Sequence, residues 1–240
     1  MALFAIADLH LAKDPSVEKP MDVFGSGWER HDERLREDWL SRVAPCDTVI
    51  IAGDISWGLK LSEAEADLSW IAELPGRKLL IRGNHDLWWA SLAKMRALLK
   101  EKGIEDIDFI QNDSRRLESE KDGKSIALCG TRGWVCPGGS EFTEHDRKIY
   151  ERELLRLEMS LKSAEGADEI VCALHYPPMN ERFEDSGFTE LIERYSVSKL
   201  VYGHLHGRSV WPRGFRGMRN GVEYELVSLD YMDCRLKRLI

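Results

Sequence analysis

The sequence predicts an α/β fold built on a mixed β-sheet, or on two sheets packed face to face, with flanking helices. Two observations lead to this prediction. In the first part of the chain, short apolar runs alternate with helical segments, which is typical of parallel strands joined by crossover helices. Later runs are separated by short turns, which is typical of antiparallel pairs. No repeat or linker divides the 240 residues, so we expect a single domain over residues 1–240.

The predicted strands are short runs rich in aliphatic and β-branched residues, as found in buried sheets. They are Ala2–Ala7, Thr48–Ala52, Lys78–Ile81, Ser125–Cys129, Glu169–Leu174 and Lys199–Tyr202. Two antiparallel pairs are also predicted. Ser114–Ser119 would pair with Ser125–Cys129 around Asp122-Gly123, and Glu223–Ser228 with Met232–Leu236 around residues 229–231.

Segments with helical spacing lie between these strands, namely Arg30–Val43, Ser62–Leu74, Leu87–Lys102 and Thr143–Ala164. Ser62 and Glu65 have the spacing of a capping box, and Thr143 is placed to cap the longest helix. Gly103 stands where a glycine commonly ends a helix.

The overall composition limits the partners and the setting of the protein. The net charge of -8 disfavours a general affinity for nucleic acid. No apolar run is long enough to cross a bilayer, and Met1–Ile6 reads as a strand and not as a signal peptide. Five cysteines without a C-x-x-C pair favour a reduced, cytoplasmic setting. The sequence predicts no oligomeric state.

Potential metal ligands follow five of the predicted strands directly. They are Asp8, His10, Asp54, Asn84, His175, His204 and His206, with His85 beside Asn84. Ligands bind beyond the carboxyl ends of strands in α/β sheets, so these residues can converge. In extended backbone, the i, i+2 spacing within Asp8-x-His10 and His204-x-His206 would put both side chains of a pair on one side. Glycines before three of these residues (Gly53, Gly83 and Gly203) permit sharp turns.

The residue types in this set favour a particular kind of metal. Carboxylate and imidazole ligands suit manganese, iron or zinc, whereas calcium and magnesium sites use mainly oxygen. Two carboxylates and four neutral imidazoles leave two divalent ions with a net positive charge, which a phosphate anion requires. The two other histidines, His31 and His145, lie in charged helical segments and are expected to make ordinary hydrogen bonds.

The segments D-L-H, G-D, G-N-H-D, H and G-H-L-H, in that order, resemble those of the calcineurin-like metallophosphoesterase superfamily, in particular its bacterial predicted phosphohydrolases. The resemblance spans Asp8 to His206. It implies a sandwich of two mixed β-sheets flanked by helices, in four layers α/β/β/α.

The resemblance also implies the roles of individual residues. One metal would be held by Asp8, His10, Asp54 and His206, and the second by Asp54, Asn84, His175 and His204. The implied activity is hydrolysis of phosphomonoesters or phosphodiesters by a metal-bridging hydroxide, with His85 as catalytic residue stabilising charge and donating a proton. Of the possible ions, manganese is expected, with iron or zinc as alternatives. A nuclease of the same superfamily and a non-catalytic scaffold are the competing functions.

One segment departs from the serine/threonine protein phosphatases of this superfamily. Those enzymes carry G-D-x-x-D-R-G, whereas this chain has Trp57 and Gly58 in place of the aspartate and arginine. Close kinship with protein phosphatases is therefore not expected, and the sequence leaves open what orients His85.

Three residues are predicted to contact substrate, namely Trp57, Arg132 and Arg208. Trp57 could line the cleft and stack on a base or aryl group, or it could belong to the core. The run from Arg208 to Arg219 contains four arginines and no acidic residue, and it is either a solvated loop or a rim that attracts anions. A small phosphoester is the favoured substrate.

Two further features have open alternatives. One of Trp88 and Trp89 is expected to pack into the core. The loop Ala12–Gly27 either covers the metals or is a surface excursion.

Overall fold

Two mixed β-sheets stack face to face, and helices cover both outer faces. The computed structural model describes residues 1–118 and 123–240. The first sheet has the strand order β11-β1-β2-β3-β4, and the second has the order β5-β6-β7-β8-β10-β9. The strands are β1 (Leu3–Ile6), β2 (Thr48–Ala52), β3 (Arg77–Ile81), β4 (Ile107–Phe109), β5 (Arg115–Glu118), β6 (Ser125–Thr131), β7 (Glu169–Leu174), β8 (Lys199–Tyr202), β9 (Gly217–Arg219), β10 (Val222–Leu226) and β11 (Lys237–Arg238).

Parallel pairing dominates the middle of each sheet. Strands β1 to β4 are parallel, and β11 pairs with β1 in the antiparallel sense. In the second sheet β6, β7, β8 and β10 are parallel, with β5 and β9 as antiparallel edge strands. Parallel strands place their carboxyl ends at a common edge, which is where the site is found.

The side-chain alternation of the strands builds the layers. On β1, Leu3 and Ala5 enter the apolar layer between the two sheets, together with residues such as Val171 of the second sheet. Phe4 and Ile6 point the other way, toward the first group of helices. Since alternate side chains enter one apolar layer or the other, the central strands are apolar on both faces.

Five α-helices within the described residues complete the four layers. They are α1 (His31–Arg42), α2 (Leu61–Ala72), α3 (Leu92–Glu101), α4 (Glu144–Lys162) and α5 (Gly187–Arg194). Helices α1 to α3 cover the first sheet, and α4 and α5 cover the second. The α/β/β/α sandwich is therefore confirmed. No helix within the described ranges combines the length and apolarity that a membrane crossing needs.

The six strands predicted from single apolar runs are all present, but one predicted pair is wrong. Residues 228–236 do not form a strand partner for β10, which pairs instead with β8 and β9. The turn between β9 and β10 is Asn220-Gly221, with both residues at positive φ, and this dipeptide is a hairpin signal that sequence reasoning missed. The β5–β6 hairpin is confirmed by its pairing, although Ser119 and Asp122 lie outside the described residues.

Two helix starts also differ from the prediction. The proposed Ser62–Glu65 capping box is wrong, because the Glu63 carboxylate instead accepts hydrogen bonds from the backbone N–H groups of Leu59 (2.7 Å) and Lys60 (3.3 Å). The helix predicted from Leu87 begins only at Leu92, after a run of turns. The cap at Thr143 is confirmed.

Candidate metal centre

The predicted ligands gather at one edge of the sandwich, where the carboxyl ends of both sheets meet. Hydrogen bonds join the sheets there, since the Ala7 N–H donates to the Val227 carbonyl at 2.9 Å. Asp8, Asp54 and Asn84 follow strands of the first sheet, whereas His175 and the His204-x-His206 pair follow strands of the second. The site is therefore shared between the two sheets.

One half of the site joins Asp8, His10 and His206. The Nε2 atoms of His10 and His206 lie 3.3 Å apart, and Nε2 of His206 lies 3.4 Å from Oδ1 of Asp8. These donor atoms are close enough to share one metal ion. Asp8 and His10 are buried, and His206 is partly exposed.

The other half joins Asn84, His175 and His204. Oδ1 of Asn84 lies 2.7 Å from Nε2 of His175 and 2.9 Å from Nδ1 of His204. An amide oxygen between two imidazole nitrogens is a set of donors that suits a transition metal.

Asp54 lies between the two halves. Its Oδ2 is 3.7 Å from Nε2 of His10 in the first half and 3.4 Å from Nε2 of His175 in the second. One carboxylate oxygen thus faces both groups, which is the placement expected of a bridging ligand. The structure brings together all seven predicted ligands.

The backbone of the site is held in an uncommon conformation. Asp8, His10, Asp54 and His204 have φ of 62°, 44°, 51° and 72°. Such values cost a non-glycine residue about 1–3 kcal/mol and tend to occur at functional sites. The extended backbone expected for Asp8-x-His10 and His204-x-His206 is therefore wrong. His204 and His206 reach different halves of the site.

Glycines allow these loops to touch each other. A Cβ on Gly83 would lie 2.1 Å from both the backbone N and Oδ1 of Asp54, and one on Gly203 would lie 2.5 Å from Oδ2 of Asp8. Neither glycine needs positive φ. Their role is close approach. Beside Gly203 the positive φ belongs to the following ligand, His204, whereas Gly53 itself has a φ of 90°.

Two of the histidines are electrically neutral. Burial lowers the pKa of His10 and of His204 to about 3, because it disfavours the charged imidazolium. Neutral imidazole is the form that binds a metal, so both are ready to act as ligands.

In the other two histidines, neighbouring carboxylates raise the pKa. Burial opposes their charging, but Asp54 and Asp8 raise the pKa of His175 to about 9, and Asp8 and Asp230 raise that of His206 to about 10. A metal ion would replace these protons, because both side chains face the carboxylates through Nε2. Their Nδ1 atoms lie 3.0 Å from the Ala52 carbonyl and 3.2 Å from Asp230, respectively, as is usual for metal-bound histidines. The residues present therefore fit a pair of divalent ions.

A family model described as calcineurin-like phosphoesterase matches residues 1–208 of the chain. The chain belongs to the calcineurin-like phosphoesterase family. All the predicted ligands lie inside the matched region.

The similar proteins match this chain over only part of their length or only in fold. Gene 66 protein of Mycobacterium phage L5 is 52% identical over 80 residues, which cover 33% of this chain and 37% of that protein. Gene 66 protein of Mycobacterium phage D29 is 48% identical over 80 residues, or 33% and 38% of the two chains. A solved structure, the protein of unknown function AQ665 from Aquifex aeolicus, superposes with a TM-score of 0.53 at 18% identity, over 99% of this chain and 95% of that one.

Asp230 belongs to the same site, and sequence reasoning missed it. Its Oδ1 lies 3.2 Å from Nδ1 of His206, and its Oδ2 accepts a hydrogen bond from the Gly207 N–H at 2.7 Å. Metal-binding histidines usually have such a carboxylate behind them, but the sequence offers no signal for which acidic residue it is.

Asp86, the last residue of G-N-H-D, holds the loops together. It is fully buried and accepts hydrogen bonds from the backbone N–H groups of Gly83 (2.7 Å) and Asp54 (2.9 Å) and from Nε1 of Trp88 (2.9 Å). Burial and the charge of Asp54 raise its pKa to about 6. Trp88 is the buried member of the Trp88–Trp89 pair, as predicted, but it lies in a turn and not in a helix.

His85 is exposed beside this centre, and its backbone N–H donates to Oδ1 of Asp54 at 2.7 Å. Its imidazole ring packs against Trp57, with ring centroids 4.7 Å apart. Trp57 also stacks on His10 at 4.6 Å, and its Nε1 lies 3.2 Å from Sδ of Met21. The tryptophan that replaces the aspartate of protein phosphatases therefore contacts the predicted catalytic histidine directly.

A cleft of about 900 Å³ opens beside His10, His85 and His206, with Trp57 in its wall. The loop Ala12–Gly27 also lines it, through Met21 and through the residues from Phe24 to Gly27. The next residue, Trp28, is buried. Its ring and that of His206 pack edge to face with their centroids 5.3 Å apart, and sequence reasoning did not assign Trp28 to the site. The loop forms a wall of the cleft.

The predicted substrate-binding arginines are placed differently. Arg208 lines the cleft. Arg132 does not, because its guanidinium lies 3.4 Å from Glu153 and over the ring of Trp134. The remaining arginines of the Arg208–Arg219 run have other contacts, since Arg213 pairs with Glu141, Arg216 lies over Tyr231 and Arg219 pairs with Asp185. The predicted anion rim is thus reduced mainly to Arg208.

Proposed function

We propose that the chain hydrolyses phosphate monoesters or diesters at a centre of two divalent metal ions, with manganese expected and iron or zinc as alternatives. The position of Asp54 carries this proposal, because one of its oxygens faces His10 and His175 at 3.7 and 3.4 Å. Membership of a phosphoesterase family supports the reaction class. The proposed ligands are those implied by the sequence resemblance, namely Asp8, His10, Asp54, Asn84, His175, His204 and His206.

Two divalent ions, when bound, supply Lewis acidity toward water and the phosphoryl group. The protein supplies the remaining chemistry. In hydrolysis, water adds to phosphorus, the ester P–O bond breaks and the alcohol oxygen leaves with a proton. His85 is exposed in the cleft, so its imidazolium can donate that proton and stabilise the charge that develops on the phosphoryl oxygens. The bond from its backbone N–H to Asp54 fixes His85 beside the proposed bridging ligand.

A small phosphoester is the proposed substrate. The net charge is -8, and Arg208 is the one lysine or arginine among the described residues that line the cleft. Long nucleic acids bind mainly through many cationic contacts to phosphate, so a nuclease is the weaker alternative. The five cysteines lie in the described ranges as free thiols, which supports our expectation of a reduced, cytoplasmic setting.

The test is a comparison of His85→Ala with His145→Ala, which removes an exposed histidine of α4. Manganese-loaded wild type should cleave both alkyl and aryl phosphate esters. His85→Ala should lose roughly 10²–10⁴-fold in kcat on the alkyl ester and less on the aryl ester, whose leaving group needs no proton. Both variants should retain wild-type metal content.

Either of two results would contradict the proposal. One is a wild-type protein that binds manganese but cleaves neither ester, which is the behaviour of a scaffold. The other is a His85→Ala variant as active as His145→Ala on the alkyl ester.

A further inference from the structure

The cleft beside the metal centre has walls made largely of aromatic rings. Its volume is about 900 Å³, and the aromatic residues that line it are Phe24, Trp28, Trp57, Trp211 and Tyr231. A volume of this size accommodates a small organic ligand. The rings are distributed over four separate segments of the chain, so the cleft is assembled by the fold and not by one local motif.

The inner wall of the cleft touches the metal ligands. The ring of Trp57 lies 4.6 Å from that of His10, and the ring of Trp28 lies 5.3 Å from that of His206. A phosphoryl group at the metal centre would therefore have aromatic surface next to it. The substituent of that phosphoryl group can then lie along this surface.

The outer wall consists of Trp211 and Tyr231. Their rings pack edge to face at a centroid distance of 5.4 Å, and both side chains are partly exposed. The guanidinium of Arg216 lies over the Tyr231 ring at 5.2 Å. These contacts restrict the outer rings, which lowers the entropic cost of binding a ligand against them.

The charges of the cleft suit an anionic ligand. Arg208 is exposed at its rim. The acidic lining residues are already paired, since Asp230 faces His206 and Gly207, and Asp233 faces Arg34. Each carboxylate therefore has a hydrogen-bonded partner, and the Arg34 guanidinium offsets part of the Asp233 charge.

We propose that this cleft binds a planar ring, of the size of an aryl group or a nucleobase, that is part of the phosphoester substrate. The inference rests on the proposed function, because it places the phosphoryl group at the metal centre. A planar ring gains stacking energy from aromatic walls that an aliphatic group of the same size does not, since aromatic pairs are stabilised beyond their buried area. The cleft thus favours planar over aliphatic substituents, and Arg208 attracts the negatively charged phosphoester.

The test compares benzyl phosphate with cyclohexylmethyl phosphate, and the methyl diesters of both, on manganese-loaded protein. The two leaving alcohols are of the same chemical type and of similar size and differ mainly in planarity. The benzyl ester should have a kcat/KM at least about tenfold higher. Trp211→Leu should bring the ratio close to one, whereas Trp70→Leu, which removes a half-buried tryptophan away from the cleft, should leave the ratio unchanged.

Binding separates failure of this inference from failure of the proposed function. Benzylphosphonate and cyclohexylmethylphosphonate cannot be hydrolysed, so calorimetry reports their affinity even if the chain cleaves no ester. Tighter binding of the benzyl compound, lost in Trp211→Leu, supports the ring site in either case. Equal affinities, or a preference for the cyclohexyl compound, would overturn it and indicate a cleft for aliphatic groups.

Discussion

Asp230 lies directly behind His206, with its Oδ1 3.2 Å from the Nδ1 atom of the imidazole. The opposite nitrogen, Nε2, faces Asp8 at 3.4 Å. This arrangement fixes the ring and leaves Nε2 directed toward the proposed metal. Asp230 therefore acts on the centre through His206.

Removing the Asp230 carboxylate should weaken the metal centre. Asp230→Ala frees the His206 ring and removes the charge that makes it a better ligand, so metal affinity should fall by about 10–100-fold. Competition with a chromophoric chelator measures this change. Asp233→Ala, which alters a neighbouring exposed acid that also lines the cleft, is the matched control and should bind as wild type does. Equal affinities of the two variants would exclude the role of Asp230.

The contact between the loops at Gly83 should tolerate no side chain. In Gly83→Ala the new Cβ would meet Asp54 at 2.1 Å, so Asp54 must move away from its position between the two halves. We expect a lower Tm and a loss of bound metal together. Gly27→Ala is the control, because its Cβ would find Asp230 at an ordinary contact distance of 3.9 Å. A Gly83→Ala protein with wild-type metal content would contradict the packing argument.

Trp57 should position His85. The indole packs against the imidazole at 4.7 Å, while its Nε1 is tied to Met21. Trp57→Ala should lower kcat on an alkyl phosphate ester by about tenfold or more, because proton donation depends on geometry. Trp57→Phe keeps a ring and should recover most of that loss, and metal content should be unchanged in both variants. If alanine and phenylalanine behave alike, Trp57 does not act through ring packing.

Asp67 should make stability depend on pH. It is 1% exposed and bonds to Ser56 and to the Lys13 N–H, and burial raises its pKa from 3.8 to about 6. The folded state therefore holds the proton more tightly than the unfolded state, so this contribution is present below pH 3.8 and is lost as pH rises through about 6.

Asp67→Asn cannot titrate, so the variant should gain stability relative to wild type between pH 4 and 7, by up to about 3 kcal/mol. Denaturant unfolding of both proteins across this range measures the difference. A difference that stays constant with pH would show that Asp67 does not titrate as proposed.

The sequence predicted the central strands and the site because both depend on local patterns. The strands are apolar runs that end directly before polar ligands, as at Ala52-Gly53-Asp54. Convergence of Asp8 with His206, nearly two hundred residues apart in sequence, followed from the rule that ligands lie beyond the carboxyl ends of strands.

The features that sequence reasoning missed depend on tertiary contacts. Asp230 lies in a run of turns that is tied to the end of β1 by the hydrogen bond from the Leu229 N–H to the Ala7 carbonyl, and nothing in its sequence neighbours marks it as a partner of His206. The start of α3 was misplaced because Trp88 is drawn into the core and bonds to Asp86, which competes with the helix. Arg132 was expected at the phosphate because it follows a strand, but Glu153 of α4 pairs with its side chain.

Metal stoichiometry tests the central claim most directly. Wild-type protein, saturated with manganese and freed of excess ion, should contain two ions per chain by elemental analysis. Asp54→Ala should contain at most one, because Asp54 is the carboxylate that faces both halves of the site. Asp14→Ala, which removes a partly exposed carboxylate outside the site, should retain both ions. A wild-type protein with one ion or none, or an Asp54→Ala protein that keeps two, would contradict the account.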